Sequence, residues 1–258
     1  MSFKNIKFKR IGNLGLITIN RPEKYNAISL ATLTELEDAL NNSANDDNIK
    51  VIAFTGEGKK AFASGSDLSE VKNRDLKKAL EPIIQGLADK MEKTPKPIIA
   101  AINGICMGGG LEIALGCDLR IASENAIFAT PEGKIGIIPG GGATARLPRI
   151  VGRGWGMEML LMGDNINAEQ ALKIGLVTRI VSQQDLISEV IKMSEQLSQF
   201  APFVPRTIKA IVNFGMEGSL AGALMFEKYA QGALVQTKDK KEGINAFLEK
   251  RKPIFKGE

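Results

Sequence analysis

The sequence predicts an α/β fold followed by a purely helical C-terminal part. Two observations carry that expectation. Over the first two-thirds of the 258 residues, strand-like and helix-like segments alternate, which is the pattern of an α/β core. After about residue 183 the strand signals stop and four helical segments follow. The expected division is an α/β core over 1–195 and a helical C-terminal region over 196–258.

The elements follow in order. Leu14–Asn20 and Lys50–Thr55 are rich in Ile, Val and Thr and bounded by Gly or Pro, as strands are. Between them Leu30, Leu33, Leu36 and Leu40 fall on one helical face, and Thr32 with Glu35 has capping-box spacing. Leu76, Leu80, Ile84, Leu87 and Met91 mark a second helical stripe, with Pro82 as a potential interruption. Pro97–Ile105 is apolar almost throughout and reads as one strand covered on both faces. Leu119–Ala122 and Leu176–Val181 read as further strands. Asn167 with Gln170 opens a helix that Gly175 closes. The last four helices are expected over Asp185–Phe200, Pro205–Phe214, Ser219–Val235 and Asp239–Arg251. Asp239 and Glu242 have the spacing of a capping box for the last. Helices with apolar stripes attached to a complete core pack on that core or on a second subunit.

Composition excludes several chemistries. The chain contains no histidine, so no Ser-His-Asp or Cys-His arrangement, no histidine-containing zinc site and no HExxH helix exists within it. Acid–base work would fall to carboxylates, lysines, tyrosines or backbone groups. Cys106 and Cys117 form no CxxC pair and read as buried, reduced thiols of a reducing compartment. No metal site is expected. The start, Met1-Ser2-Phe3-Lys4, lacks the apolar core of a signal peptide. The longest apolar run, Pro97 to Leu111, is broken by Asn103 and falls short of the roughly 18 residues a membrane span needs. A soluble, cytoplasmic protein is expected. The net charge of +5 is mild. No basic run is interleaved with aromatics, as nucleic-acid binding would favour, and a small phosphate-bearing ligand suits the charge equally well.

Three segments could carry chemistry. In Ala61 to Leu68 (AFASGSDL), small residues would let a ligand approach the backbone, although a tight loop explains them as well. In Asn103 to Glu112, an apolar strand runs into three glycines and then a helix. Such a junction presents free N–H groups to negative charge. Glu112 in the first turn would equally serve as a partner for the helix dipole. The run is neither a Walker loop nor a dinucleotide-binding GxGxxG. In Phe128 to Glu132 (FATPE), Glu132 would ordinarily be a surface turn residue. Buried among apolar groups, its pKa would rise and it would act as an acid.

Taken together and in order, these segments resemble the enoyl-CoA hydratase/isomerase (crotonase) superfamily. The resemblance runs from Ile19-Asn20-Arg21-Pro22 with Asn26-Ala27 to the AFLEKRKP segment ending at Pro253. It passes through INGICMGGGLE, CDLRIA, FATPE, IIPGGGAT and GLVTRIV. It implies a spiral of ββα units with a C-terminal helical trimerisation region, and a homotrimer or dimer of trimers. That makes 1–195 the catalytic core and 196–258 the oligomerisation region. It implies reversible hydration of 2-trans-enoyl-CoA, with an acyl-CoA thioester as substrate and no prosthetic group. Glu112 would help activate the attacking water and Glu132 would supply the proton to Cα. The backbone N–H groups of Ser66 and Gly109 would form the oxyanion hole. Coenzyme A would lie along Ser64, Ser66, Asp67 and Leu68, with Lys24, Phe247 and Lys250 approaching it, the last two from a neighbouring subunit. Ser64 and Ser66 stand where the family commonly has alanine. Having both glutamates favours hydratase over a family isomerase or a dedicated dehydratase. An RNA-binding member of the fold would instead use a basic helix, for which Lys72, Arg74, Lys77 and Lys78 are the nearest candidates, interrupted by Asp75.

Overall fold

The computed structural model describes residues 3–81 and 83–258. Met1, Ser2 and Pro82 lie outside the described residues, and with them the expected interruption at Pro82 and part of the N-terminal reading. In chain order the strands are β1 (Ile6–Ile11), β2 (Leu14–Ile19), β3 (Val51–Gly56), β4 (Ala61–Ala63), β5 (Ile98–Ile102), β6 (Ile105–Met107), β7 (Leu119–Ser123), β8 (Ile127–Ala129), β9 (Ile166–Asn167) and β10 (Arg179–Val181). The helices are α1 (Leu30–Asn45), α2 (Leu68–Val71), α3 (Leu76–Ala79), α4 (Ile83–Lys93), α5 (Gly109–Leu115), α6 (Ala143–Met162), α7 (Ala168–Lys173), α8 (Leu186–Leu197), α9 (Phe203–Glu217), α10 (Leu220–Val235) and α11 (Lys238–Leu248).

Two sheets result. The larger has the order β1-β2-β3-β5-β7-β10, and the smaller β4-β6-β8-β9. A strand of the large sheet is followed by a short strand of the small sheet and then by helix, three times over: β3-β4, β5-β6 and β7-β8. This is the expected spiral of ββα units. β3 and β5 are buried along their whole length, because helices cover both faces of the sheet. Their continuous apolar runs are the sequence signature of that burial.

The Pro97–Ile105 segment is not one strand. It breaks at Asn103-Gly104 and becomes β5 of one sheet and β6 of the other. Asn103 makes the corner. Its Nδ2 donates to Gly56 O and Gly58 O, both at 2.8 Å, and its Oδ1 accepts from Gly56 N at 3.1 Å. Leu176–Val181 narrows to β10, since Leu176 and Val177 fill the core from a loop.

The helix starts also differ from expectation. Ser29 caps α1 by accepting from Thr32 N, while Glu35 accepts from Asn5 N at 2.7 Å and so docks the N-terminal segment. Thr237 caps α11 by accepting from Lys240 N. Asp239 instead holds Lys256 N and Gly257 N, and Glu242 pairs with Arg251. In each helix a hydroxyl two or three residues earlier takes the cap, and the carboxylates Glu35, Asp239 and Glu242 serve partners outside the first turn. The stripe from Leu76 to Met91 splits: Leu76 and Leu80 are exposed on and just after α3, and Ile84, Leu87 and Met91 are buried on α4. Asn167 and Gly175 bound α7 as expected. α6 is absent from the sequence reading. It contains Pro148 and is kinked at Gly152 (φ 79°, ψ 157°).

α9 and α10 have no buried residue. They pack on each other, with Phe214 and Phe226 edge to face at 5.4 Å. Lys209 ties α9 to the core: its Nζ donates to Met91 O and Asp118 Oδ2, each at 2.8 Å. Among the described residues no helix is long and apolar enough to cross a membrane.

Candidate active site

β4, β6 and β8 are parallel neighbours in the small sheet. Their C-terminal ends therefore emerge on one edge, the usual place for a ligand in parallel sheets. β4 delivers Ser64-Gly65-Ser66, β6 delivers Gly108 and the start of α5, and β8 delivers Thr130 and a short 3-10 helix, Pro131–Ile135, carrying Glu132. Three segments separated by dozens of residues meet because three short strands pair in register.

The backbone at this edge is unusual. Gly65 has φ +115°, which a side chain would strain. Gly109 shows why the following run needs glycine. A Cβ added there would stand 2.5 Å from Ile84 Cδ1 and 3.4 Å from Ser66 N. Ser66 and Gly109 thus lie side by side. Among the described residues neither N–H is spent on a hydrogen bond. The geometry offers two adjacent free donors on one side of the edge.

Two carboxylates face them. Glu112, on α5, is 2% exposed. Its Oε1 accepts from Gly141 N at 2.6 Å and Ala143 N at 3.1 Å. Burial raises its pKa, while those N–H groups and the Arg146 charge pull it back. Glu132 lies against Gly108, where an added Cβ would meet its Oε1 at 2.8 Å. Its Oε2 is buried with no hydrogen-bond partner. Burial, reinforced by the like charge of Glu112, pushes its pKa up to about 7. The site therefore holds one carboxylate fixed by donors and one with an orphaned oxygen that is easily protonated. Such divergence of environment separates acid from base roles.

The remaining candidates divide. Ser64 N donates to Tyr25 O at 3.1 Å, and Ile28 and Asp67 complete a backbone zipper beside the loop. Asp67 caps α2 through Ser69 and pairs with Arg21 at 3.0 Å and Lys24 at 3.5 Å. The Ser69 hydroxyl and the Arg21 guanidinium hold its carboxyl well below the usual range, so its charge is structural. Lys24 and Leu68 stand exposed at the rim. Phe247 is 83% exposed on α11, and Lys250 follows that helix with φ 55°. α11 packs on α10 and bonds the C-terminal segment. Lys72, Arg74, Lys77 and Lys78 are exposed or partly exposed around α2 and α3, where Asp75 caps α3. Cys106 and Cys117 are buried and unpaired, and burial raises both thiols. Among the described residues no cluster of three His, Cys, Asp or Glu stands ready for a metal.

Sequence reasoning missed several participants. Asn26, fully buried at φ 56°, donates to Ala61 O at 2.7 Å and holds the base of the β4 loop. Its signal was the RP…NA spacing. Ile84 presses on both Gly109 and Gly141. Gly141 and Arg146 shape the surroundings of Glu112, and nothing in their local sequence announced it beyond the glycine run.

Comparison with known proteins agrees with this geometry. The family model described as enoyl-CoA hydratase/isomerase matches residues 9–258. A crotonyl-CoA hydratase of Syntrophomonas wolfei is 39% identical over 257 residues, covering 99% of each chain. A short-chain-enoyl-CoA hydratase of Clostridium acetobutylicum is 38% identical, covering 98% of this chain and 97% of its own. Among solved structures, an enoyl-CoA hydratase of Bacillus anthracis superposes with a TM-score of 0.95 at 37% identity, covering 99% of this chain and 100% of that one.

Proposed function

The chain belongs to the enoyl-CoA hydratase/isomerase family, and from that premise we propose that it adds water reversibly to 2-trans-enoyl-CoA, giving 3-hydroxyacyl-CoA. The observation that carries the reading is the unequal pair of carboxylates, Glu112 buried and Glu132 half-buried with one orphaned oxygen, beside two unspent backbone donors.

Attack of water on Cβ pushes electrons toward the thioester oxygen. Ser66 N–H and Gly109 N–H receive that developing charge. A fixed donor of this kind contributes about 3 kcal/mol to the transition state. Glu112, its Oε1 held by Gly141 and Ala143, keeps its other oxygen for the water and takes a proton from it as the C–O bond forms. Glu132, with a pKa near 7 and an unpartnered oxygen, delivers a proton to Cα. In the reverse direction the roles exchange.

Coenzyme A follows the backbone of Ser64, Ser66, Asp67 and Leu68, with Lys24 near its phosphates. Phe247, exposed on α11, and Lys250 reach it from a neighbouring subunit of a cytoplasmic homotrimer or dimer of trimers. The names of the relatives make crotonyl-CoA the first substrate to test. The purified protein is expected to bleach the absorbance of its conjugated thioester. Glu112→Gln and Glu132→Gln are each expected to lose at least about a hundredfold in rate while remaining folded. Full activity in Glu132→Gln would sink the two-carboxylate mechanism.

A further inference from the structure

Arg146, on the first turns of α6, is the most heavily bonded cation near the site. Its Nε and Nη2 grip the Glu92 carboxylate at 2.7 and 3.0 Å, and Nη2 also reaches Asp89 Oδ1 at 2.6 Å. Both acids lie on α4. The remaining arm, Nη1, donates to Gly141 O at 3.2 Å. The arginine therefore ties a core helix to the loop that holds Glu112.

That loop is shaped around it. Gly142 has φ +108°, and a Cβ there would fall 2.0 Å from Arg146 Nη1. The carbonyl that accepts from Arg146 belongs to the peptide whose other end is the Gly142 N–H, and that N–H also favours the ionised form of Glu112. On either side of it, the N–H groups of Gly141 and Ala143 bond Glu112 Oε1. One guanidinium thus anchors the peptide at the centre of three N–H groups turned toward one carboxylate.

The geometry points to Arg146 as a positioning residue: it fixes the Gly141–Ala143 backbone and through it the orientation and ionisation of Glu112, without touching substrate. The inference rests on the reading of Glu112 as the residue that activates water. The charged groups around Glu112 are few. Glu132 faces it from the turn after β8, Arg146 from α6, and Asp89 and Glu92 on α4 are neutralised by Arg146 itself. Asp67, on the loop after β4, is committed to Arg21 and Ser69.

The test compares wild type, Arg146→Gln and Arg146→Lys in hydration of crotonyl-CoA across pH, with kcat and KM separated. Arg146→Gln is expected to lower kcat by about tenfold or more, with KM little changed, because a slack loop misplaces the carboxylate. The acid limb of its kcat/KM profile is expected to move upward, since ionised Glu112 loses both a positive neighbour and ordered donors. Arg146→Lys restores the charge but not the fork, so the limb returns toward wild type while kcat stays low. In a Glu112→Gln background, Arg146→Gln is expected to cost nothing further, as no carboxylate remains to position. An unmoved pH limb, or a full additional loss in that background, overturns the inference. Should Arg146→Gln fail to fold, Glu92→Gln loosens the same grip and is expected to lower kcat by less, with KM little changed, and to cost nothing further in a Glu112→Gln background; an unchanged kcat, or a full additional loss in that background, also overturns it. A wild type that does not hydrate crotonyl-CoA would sink the proposed function instead, so the two failures are distinguishable.

Discussion

Glu132 keeps a buried oxygen without a partner, and a site retains such an atom only where something else uses it. Burial and the Glu112 charge lift its pKa from 4.5 to about 7. A carboxyl raised in this way binds its proton more tightly folded than unfolded. Between about pH 4.5 and pH 7 the folded state therefore holds extra proton, and stability falls as pH rises through that window. Above it the penalty is complete. Glu132→Gln places a neutral amide there and removes the titration. The variant is expected to melt about 3 °C higher than wild type at pH 8, with the gain shrinking toward pH 5. Thermal unfolding at both pH values checks it; an equal difference at the two pH values would show that Glu132 does not titrate in this window. At this scale the sequence was informative in an uneven way. Glu112, Glu132, Ser66 and Gly109 were legible from motif order, and the structure brings them together. Ile84 was not, because it acts on glycines far away in the chain, and Arg146 was not, because the acids it grips lie on α4, far back in the chain; no local pattern encodes either.

The element that makes the site is the corner between β5 and β6. An apolar run with one asparagine reads as a single strand, since hydropathy reports burial and not sheet identity. The chain changes sheets at Asn103 because that side chain substitutes for a strand neighbour, binding the backbone of Gly56 and Gly58. β3 and β4 part company at the same place, so one buried amide sets the spacing of two ββα units. Asn103→Ala leaves buried acceptors and a donor unsatisfied. It is expected to cost about 1–3 kcal/mol of stability, read from denaturant unfolding, and to lower the hydration rate, because the ends of β4 and β6 carry Ser66 and Gly109. A loss below about 0.5 kcal/mol would mean that the corner is held by packing instead. In the large sheet β2, β3, β5 and β7 were legible because they are buried along most or all of their length, whereas the edge strand β1, exposed along most of its length, was not read from the sequence. β4, β8 and β9, at two or three residues each, are too short for any period to show. α6 was hidden by Pro148 and its glycines, which tertiary contacts override.

At the scale of the molecule, two kinds of helix coexist. α1, α4 and α8 each bury an apolar stripe in the core. α9 and α10 bury nothing fully, yet they carry Ile208, Val212, Leu220, Leu224, Met225 and Tyr229, all more than half exposed. A lone soluble chain seldom exposes so much contiguous apolar surface. Nor are these helices adrift. Lys209, with its side chain 8% exposed, spans from α9 to Asp118 and two core carbonyls, and Asn213 donates to Glu92 O at 3.2 Å. Fixed to the core yet uncovered, the pair presents a rigid apolar face, which suits a subunit interface better than a mobile appendage. The same arrangement bears on catalysis under the proposed reading, in which Phe247 and Lys250 approach coenzyme A from a neighbouring subunit. Sedimentation of the wild type is therefore expected to give a multiple of three times the 27.8 kDa chain. Leu224→Asp with Tyr229→Asp, which places two charges on that face, is expected to yield monomers with an unchanged fold by circular dichroism. Those monomers are expected to show a raised KM for crotonyl-CoA with kcat less affected, since Glu112, Glu132, Ser66 and Gly109 all come from one chain. A trimer that survives both aspartates would place the interface elsewhere, and monomers with wild-type KM would confine coenzyme A binding to the β4 loop.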